Sequence, residues 1–385
     1  MLNFEFQNPT RIVFGKDTIS SLDKLIPADA RVLILYGGQS AERNGTLSEV
    51  RSALSGRTRF EFGGIEPNPA FETLAKAVAL VRAERVDFLL AVGGGSVIDG
   101  TKFVAAASHF EGDPWKILES FGGAVQSALP LGVVLILSAT GSEMNSGAVV
   151  TRKETHTKAF FSSPQVFPQF SILDPTKTYT LPARQLANGV VDAFVHVVEQ
   201  YLTYPVDARV QDRFAEGLLQ TLIEIGPKVV HEPADYDSRA NLMWTAAMAL
   251  NGLIAAGVPQ DWATHLIGHE LTALHGIDHA QTLAIVLPPM LRLRRESKRA
   301  KLLQYAERIW QLTTGNEDER IDLAIQKTQD FFEELGVKTH LSAYGVEAGA
   351  VDALVHALET HGMVGLGEHG DVTPVLSRKV YEAAL

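Results

Sequence analysis

The residues able to do chemistry fall in two stretches of the second half of the chain. Asp192 and His196 stand at i, i+4 in VVDAFVHVVEQ, and DWATHLIGHELTALHGIDHAQ carries His265, His269, His275 and His279. Of twelve histidines in the chain, four lie within the fifteen residues 265–279. On a helix an i, i+4 pair shares one face, with Cβ atoms about 5–6 Å apart. The surroundings of Asp192 are otherwise apolar, and a carboxylate buried there requires a cationic partner. One carboxylate and three imidazoles saturate a divalent ion at about 2.0–2.2 Å. Such a site carries a net positive charge that a substrate oxygen anion completes, and its ion polarises a carbonyl as a Lewis acid. The order here is HxxxHE rather than HExxH, so Glu270 leaves the histidine face and a zinc-protease helix is excluded. Spacing leaves open which three of the four clustered histidines bind. The chain has no cysteine, so any ligand set uses N and O donors, which suit Fe(II), Zn or Ni.

A second constellation is built of glycine. AVGGGSVIDGTKFVAAA (91–107) reads as a strand end, a turn and a helix start. Gly93, Gly94 and Gly95 let the backbone approach a ligand closely. Their amides, with Ser96, then face it from the positive end of a helix, an arrangement suited to a pyrophosphate. The spacing is not GxGxxG, and a tight strand–helix turn without ligand has the same sequence. Thr140-Gly141-Ser142 forms a second polar turn after another strand and favours the ligand reading. Tyr36-Gly37-Gly38-Gln39-Ser40 follows a third strand, with Arg43 close behind. The acid that commonly holds the ribose hydroxyls of NAD is absent there, so a dinucleotide at this edge is expected to be NADP(H).

The elements that must position these groups alternate in the first half of the chain. RVLILYGG (31–38), VDFLLAVGGG (86–95) and LGVVLILSATG (131–141) are continuous apolar runs ending near glycine, with helical stretches such as FETLAKAVALVRAER (71–85) between them. That pattern describes a mostly parallel sheet covered on both faces, with ligands at the strands' carboxyl edge. After Pro182 the signals are helical: 188–202, 207–226, 238–257, 261–276, 299–312, 321–336 and 351–362. The expected organisation is an α/β dinucleotide-binding domain over 1–180 and an all-helical metal- and substrate-binding domain over 181–385. In 385 residues, 34 Lys+Arg against 45 Asp+Glu give a net charge of −11, which argues against nucleic acid as partner. The densest basic stretch, RRESKRAKLL (294–303), contains Glu296 and reads as a solvated helix face. No uninterrupted apolar run of about 18 residues occurs, and the first residues lack signal-peptide character. A soluble cytoplasmic protein is the expectation.

GGGSVIDGTK, ATGSE, Asp192-x3-His196 and His265-x3-His269-x9-His279 together resemble the iron-containing (group III) alcohol dehydrogenases. GGIEPNP (63–69), NGVVDAFVHVVEQY (188–201) and GVPQDWATHLIGHELTALHGIDHAQTLAIVLP (257–288) resemble its NADPH-dependent aldehyde reductase and butanol dehydrogenase branch. The resemblance implies a Rossmann-like parallel-sheet domain plus an all-helical domain, the dehydroquinate-synthase-like fold, with cofactor and metal in the cleft between them. It implies Asp192, His196, His265 and His279 as ligands of one divalent metal, Fe2+ or Zn2+. His269 is implied as the non-ligand histidine near nicotinamide and substrate. The implied NADP(H)-binding positions are Gly37, Gly38, Ser40, Asn68, Gly94, Gly95, Ser96 and Asp99, with Thr140, Asn145 and Lys158. The segment around Ser138-Ala139-Thr140 is shorter than the Thr-Thr-Ala-Gly-Thr run of many relatives. His275 has no ligand role in the family and is either substrate-side or structural.

The expected activity is reversible reduction of short- to medium-chain aldehydes to primary alcohols with NADPH, in a homodimer. Three alternatives share the features above: a dehydroquinate-synthase-like lyase or cyclase, an NAD-linked polyol dehydrogenase, and a binding protein without catalysis. The first needs clustered Lys/Arg for a multiply charged substrate, whereas Phe194, Val195, Trp262, Leu266 and Leu274 surround the proposed ligands. The missing acid near Gly37 opposes the second.

Overall fold

The computed structural model describes residues 1–155, 157–232 and 235–385. The chain gathers into two compact units, Gln7–Leu181 with Pro233–Ala247, and Met1–Phe6 with Pro182–Glu232 and Met248–Leu385. Sheet gives way to helix close to residue 180, yet two short segments change sides. Within the first unit, buried Arg239 donates from Nη1 to the Thr178 carbonyl at 3.1 Å, and Trp244 meets the Phe14 ring edge-on at 6.2 Å. Those contacts tie 235–247 to the sheet unit.

The sheet unit contains β1 (Arg11–Phe14), α1 (Leu22–Leu25), β2 (Arg31–Tyr36), α2 (Ser40–Arg43), α3 (Thr46–Ala53), β3 (Thr58–Phe62), α4 (Phe71–Glu84), β4 (Phe88–Gly93), α5 (Gly95–His109) and α6 (Lys116–Glu119). It continues with β5 (Leu131–Leu135), β6 (Gly147–Arg152), β7 (Thr157–Ser162) and β8 (Phe170–Leu173). Six strands pair in parallel in the order β1-β8-β5-β4-β2-β3, while β6 and β7 form a separate antiparallel ribbon. The four inner strands are apolar along nearly their whole length and largely buried, as a sheet covered on both faces requires. Strand order reverses between β2 and β4, where Tyr36 pairs with Val92. Ligands of open α/β sheets bind at such a switch point, outside the strands' carboxyl ends. The Gly37 and Gly93 turns leave the sheet there.

The helical unit contains α7 (Ala183–Tyr201), α8 (Arg209–His231), α10 (Ala263–His275), α11 (His279–Leu293), α12 (Arg299–Arg308), α13 (Glu317–Glu334), α14 (Val351–Thr360) and α15 (Pro374–Ala383); most of α9 (Tyr236–Ala249) lies with the sheet unit. After β8 the described residues hold no further strand, only an isolated bridge between Leu366 and Val372. Ile267 and Leu271 of α10 pack with Ile285 and Val286 of α11, Leu354 and Leu358 of α14 and Tyr381 of α15 in one core. Gly276 closes α10 in the left-handed conformation at φ 67, which glycine adopts without a Cβ penalty.

The expectation of a solvated face over 294–303 is corrected in part: Glu296, Ser297 and Ala300 are exposed and Arg295 and Arg299 half-buried, but the other basic residues are not. Arg294, Lys298 and Lys301 are buried. Acids distant in sequence meet them: Asp261 and Glu368 at Arg294 and Lys298, and Asp212 at Lys301. Among the described residues no helix is long and apolar enough to cross a membrane.

Candidate active site

Helix α7 carries Asp192, His196 and Glu199 at i, i+4 and i+7, one face of the helix, and all three are buried. Helix α10 carries His265, and α11 begins with His279. Single ligand atoms of Asp192, His265 and His279 lie within 4.8 Å of one another. Asp192 Oδ1 is 3.7 Å from His279 Nε2 and 3.7 Å from His196 Nε2. The His196 ring stacks on that of His265 with centroids 4.7 Å apart. Tetrahedral ligands at about 2.1 Å from an ion stand about 3.4 Å apart, so this spacing suits a small divalent cation.

Charge makes the same case. Burial and the neighbouring His265 hold His196 down to about 4, against the opposing pull of Asp192. The imidazole is therefore neutral at pH 7, the form that binds metal. A buried carboxylate among such groups is stabilised by a cation. The donor set thus fits one divalent metal.

Glu199 orients the site and was overlooked in the sequence, although its i+7 spacing from Asp192 in VVDAFVHVVEQ placed it on the ligand face. Its carboxylate accepts from Thr264 N at 2.6 Å, His265 N at 3.2 Å and His265 Nδ1. Holding the Nδ1 proton leaves Nε2 of His265 as the lone-pair donor, the usual carboxylate–histidine–metal arrangement. Burial and the nearby Asp261 carboxylate raise Glu199 above the ordinary carboxylate range. At the start of α11, Asp278 accepts from Asn188 Nδ2 at 3.0 Å and meets Arg184 Nη1 at 3.3 Å, which ties His279 to α7. Trp262, at φ 62, sets its ring 5.3 Å from that of His265.

His269 sits one turn beyond His265, half-buried, with its ring 5.3 Å from that of His279. His275, the last residue of α10, is exposed and shares no ring or ion-pair contact with the cluster among the described residues.

In the sheet unit the expected cofactor positions surround the switch point. Gly37 and Gly38 follow β2, and Ser40 opens α2. At Gly37 a Cβ would lie 3.2 Å from the Ile65 carbonyl, whereas Gly38 faces open space. Asn68 takes the left-handed conformation at φ 54, and its amide donates to Ser96 Oγ at 3.3 Å. Gly94 caps α5, and Gly95 and Ser96 form its first turn, where helix amides have no intrahelical acceptor. A Cβ on Gly95 would come within 2.5 Å of Thr140, so glycine here joins two loops of the cradle as well as opening the helix.

Thr140 and Asn145 are engaged within their own loop, and Asp99 of α5 reaches across to residues 142 and 149. Asp99 accepts from Ser142 Oγ at 2.6 Å and Val149 N at 2.9 Å. Thr140 Oγ1 accepts from Ser142 N at 3.2 Å, and Asn145 Nδ2 donates to the Gly141 carbonyl at 2.9 Å. Lys158 lies half-buried on β7 opposite Thr151. Two further residues emerge only in three dimensions. Buried Lys102 donates to Ser142 Oγ and Asn145 Oδ1, each at 2.9 Å, and to the Gly147 carbonyl at 2.8 Å, and burial lowers it to about 8. Glu143 is wholly buried, its carboxylate oxygens lack hydrogen-bond partners among the described residues, and burial raises it to about 7. After β2 the first acid is Glu42, and Arg51 Nη1 meets it at 2.9 Å.

Comparison with known proteins agrees with this geometry. Residues 9–175 match the family model described as iron-containing alcohol dehydrogenase, and residues 186–365 match that of the Fe-containing alcohol dehydrogenase family, C-terminal. The chain is 62% identical over 386 residues to the NADPH-dependent aldehyde reductase YqhD of Escherichia coli (strain K12), covering all of both chains. It is 41% identical to the probable NADH-dependent butanol dehydrogenase 1 of Bacillus subtilis (strain 168), covering 95% of each. The crystal structure of E. coli K-12 YqhD superposes with a TM-score of 0.99 at 61% identity, over 100% of this chain and 99% of that one. Two family models across nearly its whole length and a relative matched end to end establish that the chain belongs to the iron-containing alcohol dehydrogenase family.

Proposed function

We propose that this protein is a metal-dependent aldehyde reductase that uses NADPH to convert short- to medium-chain aldehydes to primary alcohols, and that also runs the reverse oxidation. The observation that carries the proposal is the convergence of buried Asp192 and His265 with half-buried His279, and with His196 alongside, in a chain whose 62%-identical relative is named an NADPH-dependent aldehyde reductase. These four residues hold one divalent ion, Fe2+ or Zn2+, through one carboxylate oxygen and three imidazole nitrogens. When bound, the ion supplies Lewis acidity at the aldehyde oxygen and NADPH supplies the hydride.

The chain's own residues do the rest. Glu199 fixes the tautomer and direction of His265. The Trp262 ring, edge-on to those of His196 and His265, gives the site an apolar wall, which favours an uncharged aldehyde over a multiply charged lyase substrate. His269, half-buried beside His279, transfers the proton that the product alcohol requires, as an imidazole can near neutral pH. Gly37, Gly38, Ser40, Asn68, Gly94, Gly95 and Ser96 hold the dinucleotide, with its pyrophosphate at the start of α5. Asp99, Thr140, Asn145 and Lys158 shape the far side of that cradle. The relatives' names carry both NADPH and NADH. NADPH is favoured here because no acid precedes Glu42 in the turn after β2, and Glu42 is paired with Arg51, which it shares with Glu61. Exposed Arg43 adds positive charge for the extra phosphate.

A homodimer belongs to the same reading. Edge strand β1 (RIVF) is partly exposed and, after Arg11, apolar, with Phe14 at 40%. Such an edge offers unpaired backbone groups that a second copy covers, whereas the other edge, β3 (TRFEF), carries Arg59 and Glu61. The cytoplasmic assignment is likewise part of this reading, in keeping with a cysteine-free chain. The test is NADPH consumption with butanal, followed by the same assay with NADH and with a polyol and NAD. Metal-dependent NADPH oxidation with butanal is expected. Its absence from metal-loaded protein would contradict the proposal.

A further inference from the structure

Lys298 stands in the basic stretch whose exposure the sequence misjudged, and it is buried. An ammonium has three N–H donors, and Lys298 Nζ has three acceptors. It donates to the Leu202 carbonyl at 2.5 Å, contacts Asp261 Oδ2 at 2.6 Å and donates to Glu368 Oε1 at 2.8 Å. Leu202 caps the C-terminal end of α7, the helix of Asp192, His196 and Glu199. Asp261 lies immediately before α10, the helix of His265, and its Oδ1 accepts from Ala263 N at 3.0 Å. The Asp261 amide in turn donates to the Glu199 carbonyl at 3.0 Å. One side chain therefore bonds both the end of one ligand helix and the start of the other.

The surroundings are arranged to keep it there. Arg294 Nη1 lies 3.5 Å from Asp261 Oδ2 and 3.4 Å from Glu368 Oε2, and Arg294 Nη2 reaches Asp371 Oδ1 at 2.8 Å. Glu368 comes from a glycine-rich turn that passes close to this cluster. At Gly367, φ 80, a Cβ would stand 2.6 Å from Arg294 Nη1, so only glycine lets the turn deliver Glu368. Trp262 holds a left-handed backbone at φ 62, a conformation rarely kept by a bulky side chain unless its neighbours fix it.

We propose that Lys298 is a positioning residue for the metal centre: its ammonium ties the Leu202 carbonyl at the end of α7 to Asp261 at the start of α10, and so holds the ligands of the two helices at metal-binding spacing. This inference rests on the ligand assignment under Proposed function. Changes that disturb a metal's outer supports commonly cost 10–100-fold in affinity, and a loss in that range is expected for Lys298→Met.

The test titrates Zn2+ against a competing chelator and records the visible spectrum of Co2+-loaded protein, for wild type and Lys298→Met, with thermal midpoints measured alongside. Lys298→Met is expected to bind Zn2+ at least tenfold more weakly and to change the Co2+ band positions and intensities, with NADPH affinity unchanged. Lys298→Met/Glu368→Gln removes one charge of each sign and serves if the single variant fails to fold. It is expected to show the same loss, because the bridge from Leu202 to Asp261 is still gone. Tyr305→Phe, which breaks a buried hydrogen bond to Thr328 between α12 and α13, controls for lost stability alone. Wild-type Zn2+ affinity and Co2+ spectrum in the Lys298 variants, or an equal loss in Tyr305→Phe, overturns the inference. A wild-type protein that binds Zn2+ no better than His265→Ala removes the ligand assignment, and this inference with it.

Discussion

Replacing Glu199 by glutamine keeps its shape and removes its charge. Three N–H groups converge on the carboxylate: Thr264 N at 2.6 Å, His265 N at 3.2 Å and His265 Nδ1. A side-chain amide has one oxygen to accept with, and its NH2 faces a donor head-on. With the carboxyl ionised, as a bound metal favours, at least one hydrogen bond to a charged group is lost, worth about 1.5–3 kcal/mol. The consequence for the metal is sharper than for the fold. If the amide donates to Nδ1, the imidazole proton moves to Nε2 and the ligand lone pair disappears. Burial and Asp261 raise the Glu199 carboxyl, so a cation arriving at His265 also favours its ionised form, and glutamine has no proton to release. The expected outcome is a 10–100-fold loss of metal affinity, about 1.4–2.7 kcal/mol at about 1.4 kcal/mol per factor of ten. Chelator competition with Zn2+ measures it directly, and NADPH titration on the same samples serves as the control because the proposed cofactor residues lie on the other unit. Glu199→Gln with wild-type Zn2+ affinity would refute the reasoning.

Three further outcomes are expected. Glu143 is wholly buried with its carboxyl raised from 4.5 to about 7, so its cost to folding is absent below pH 4.5, grows as pH rises, and is complete above about 7. A shift of about 2.5 at 1.36 kcal/mol per unit makes that cost about 3 kcal/mol, and Glu143→Gln is expected to raise the urea midpoint strongly at pH 8 and little at pH 4.5, whereas an equal effect at both pH values contradicts the assignment. Arg43→Ala is expected to weaken NADPH several-fold and leave NADH unchanged in paired kinetic titrations; parallel loss of both would remove Arg43 from cofactor choice. Ile12→Lys places a charge on the partly exposed edge strand β1, and light scattering is expected to show that it disrupts the proposed dimer.

Much of this was legible in the sequence, for identifiable reasons. β2, β4 and β5 are continuous apolar runs because they are buried on both faces, and that signal survives without partners. β3 alternates with Arg59 and Glu61 because it is an edge strand. β1 and β8 have only four residues each, and β6–β7 is an antiparallel ribbon outside the parallel pattern, so none of these stood out. The candidate histidine–carboxylate cluster was legible because i, i+4 spacing is a local property of helices, and the same rule extended by one turn reaches Glu199. Lys298 was not, because its exposure is decided by Asp261 and Glu368, which only the fold brings to it. His275 shows the opposite case: it shares the histidine-rich segment with His265 and His279, but α10 ends there and leaves it exposed. Asp99, Thr140 and Asn145 resemble direct cofactor contacts by motif, and the structure gives their polar groups partners within the 140–149 loop.

The most direct measurement strips the purified enzyme with a chelator, reloads it with one equivalent of Fe2+ or Zn2+, and follows butanal-dependent NADPH oxidation in wild type and His265→Ala, with NADPH binding recorded by fluorescence throughout. Stripping is expected to abolish turnover, reloading to restore it in wild type alone, and NADPH binding to persist in every sample. Turnover by the stripped enzyme, or by His265→Ala at the wild-type rate, would contradict a metal held by Asp192, His196, His265 and His279.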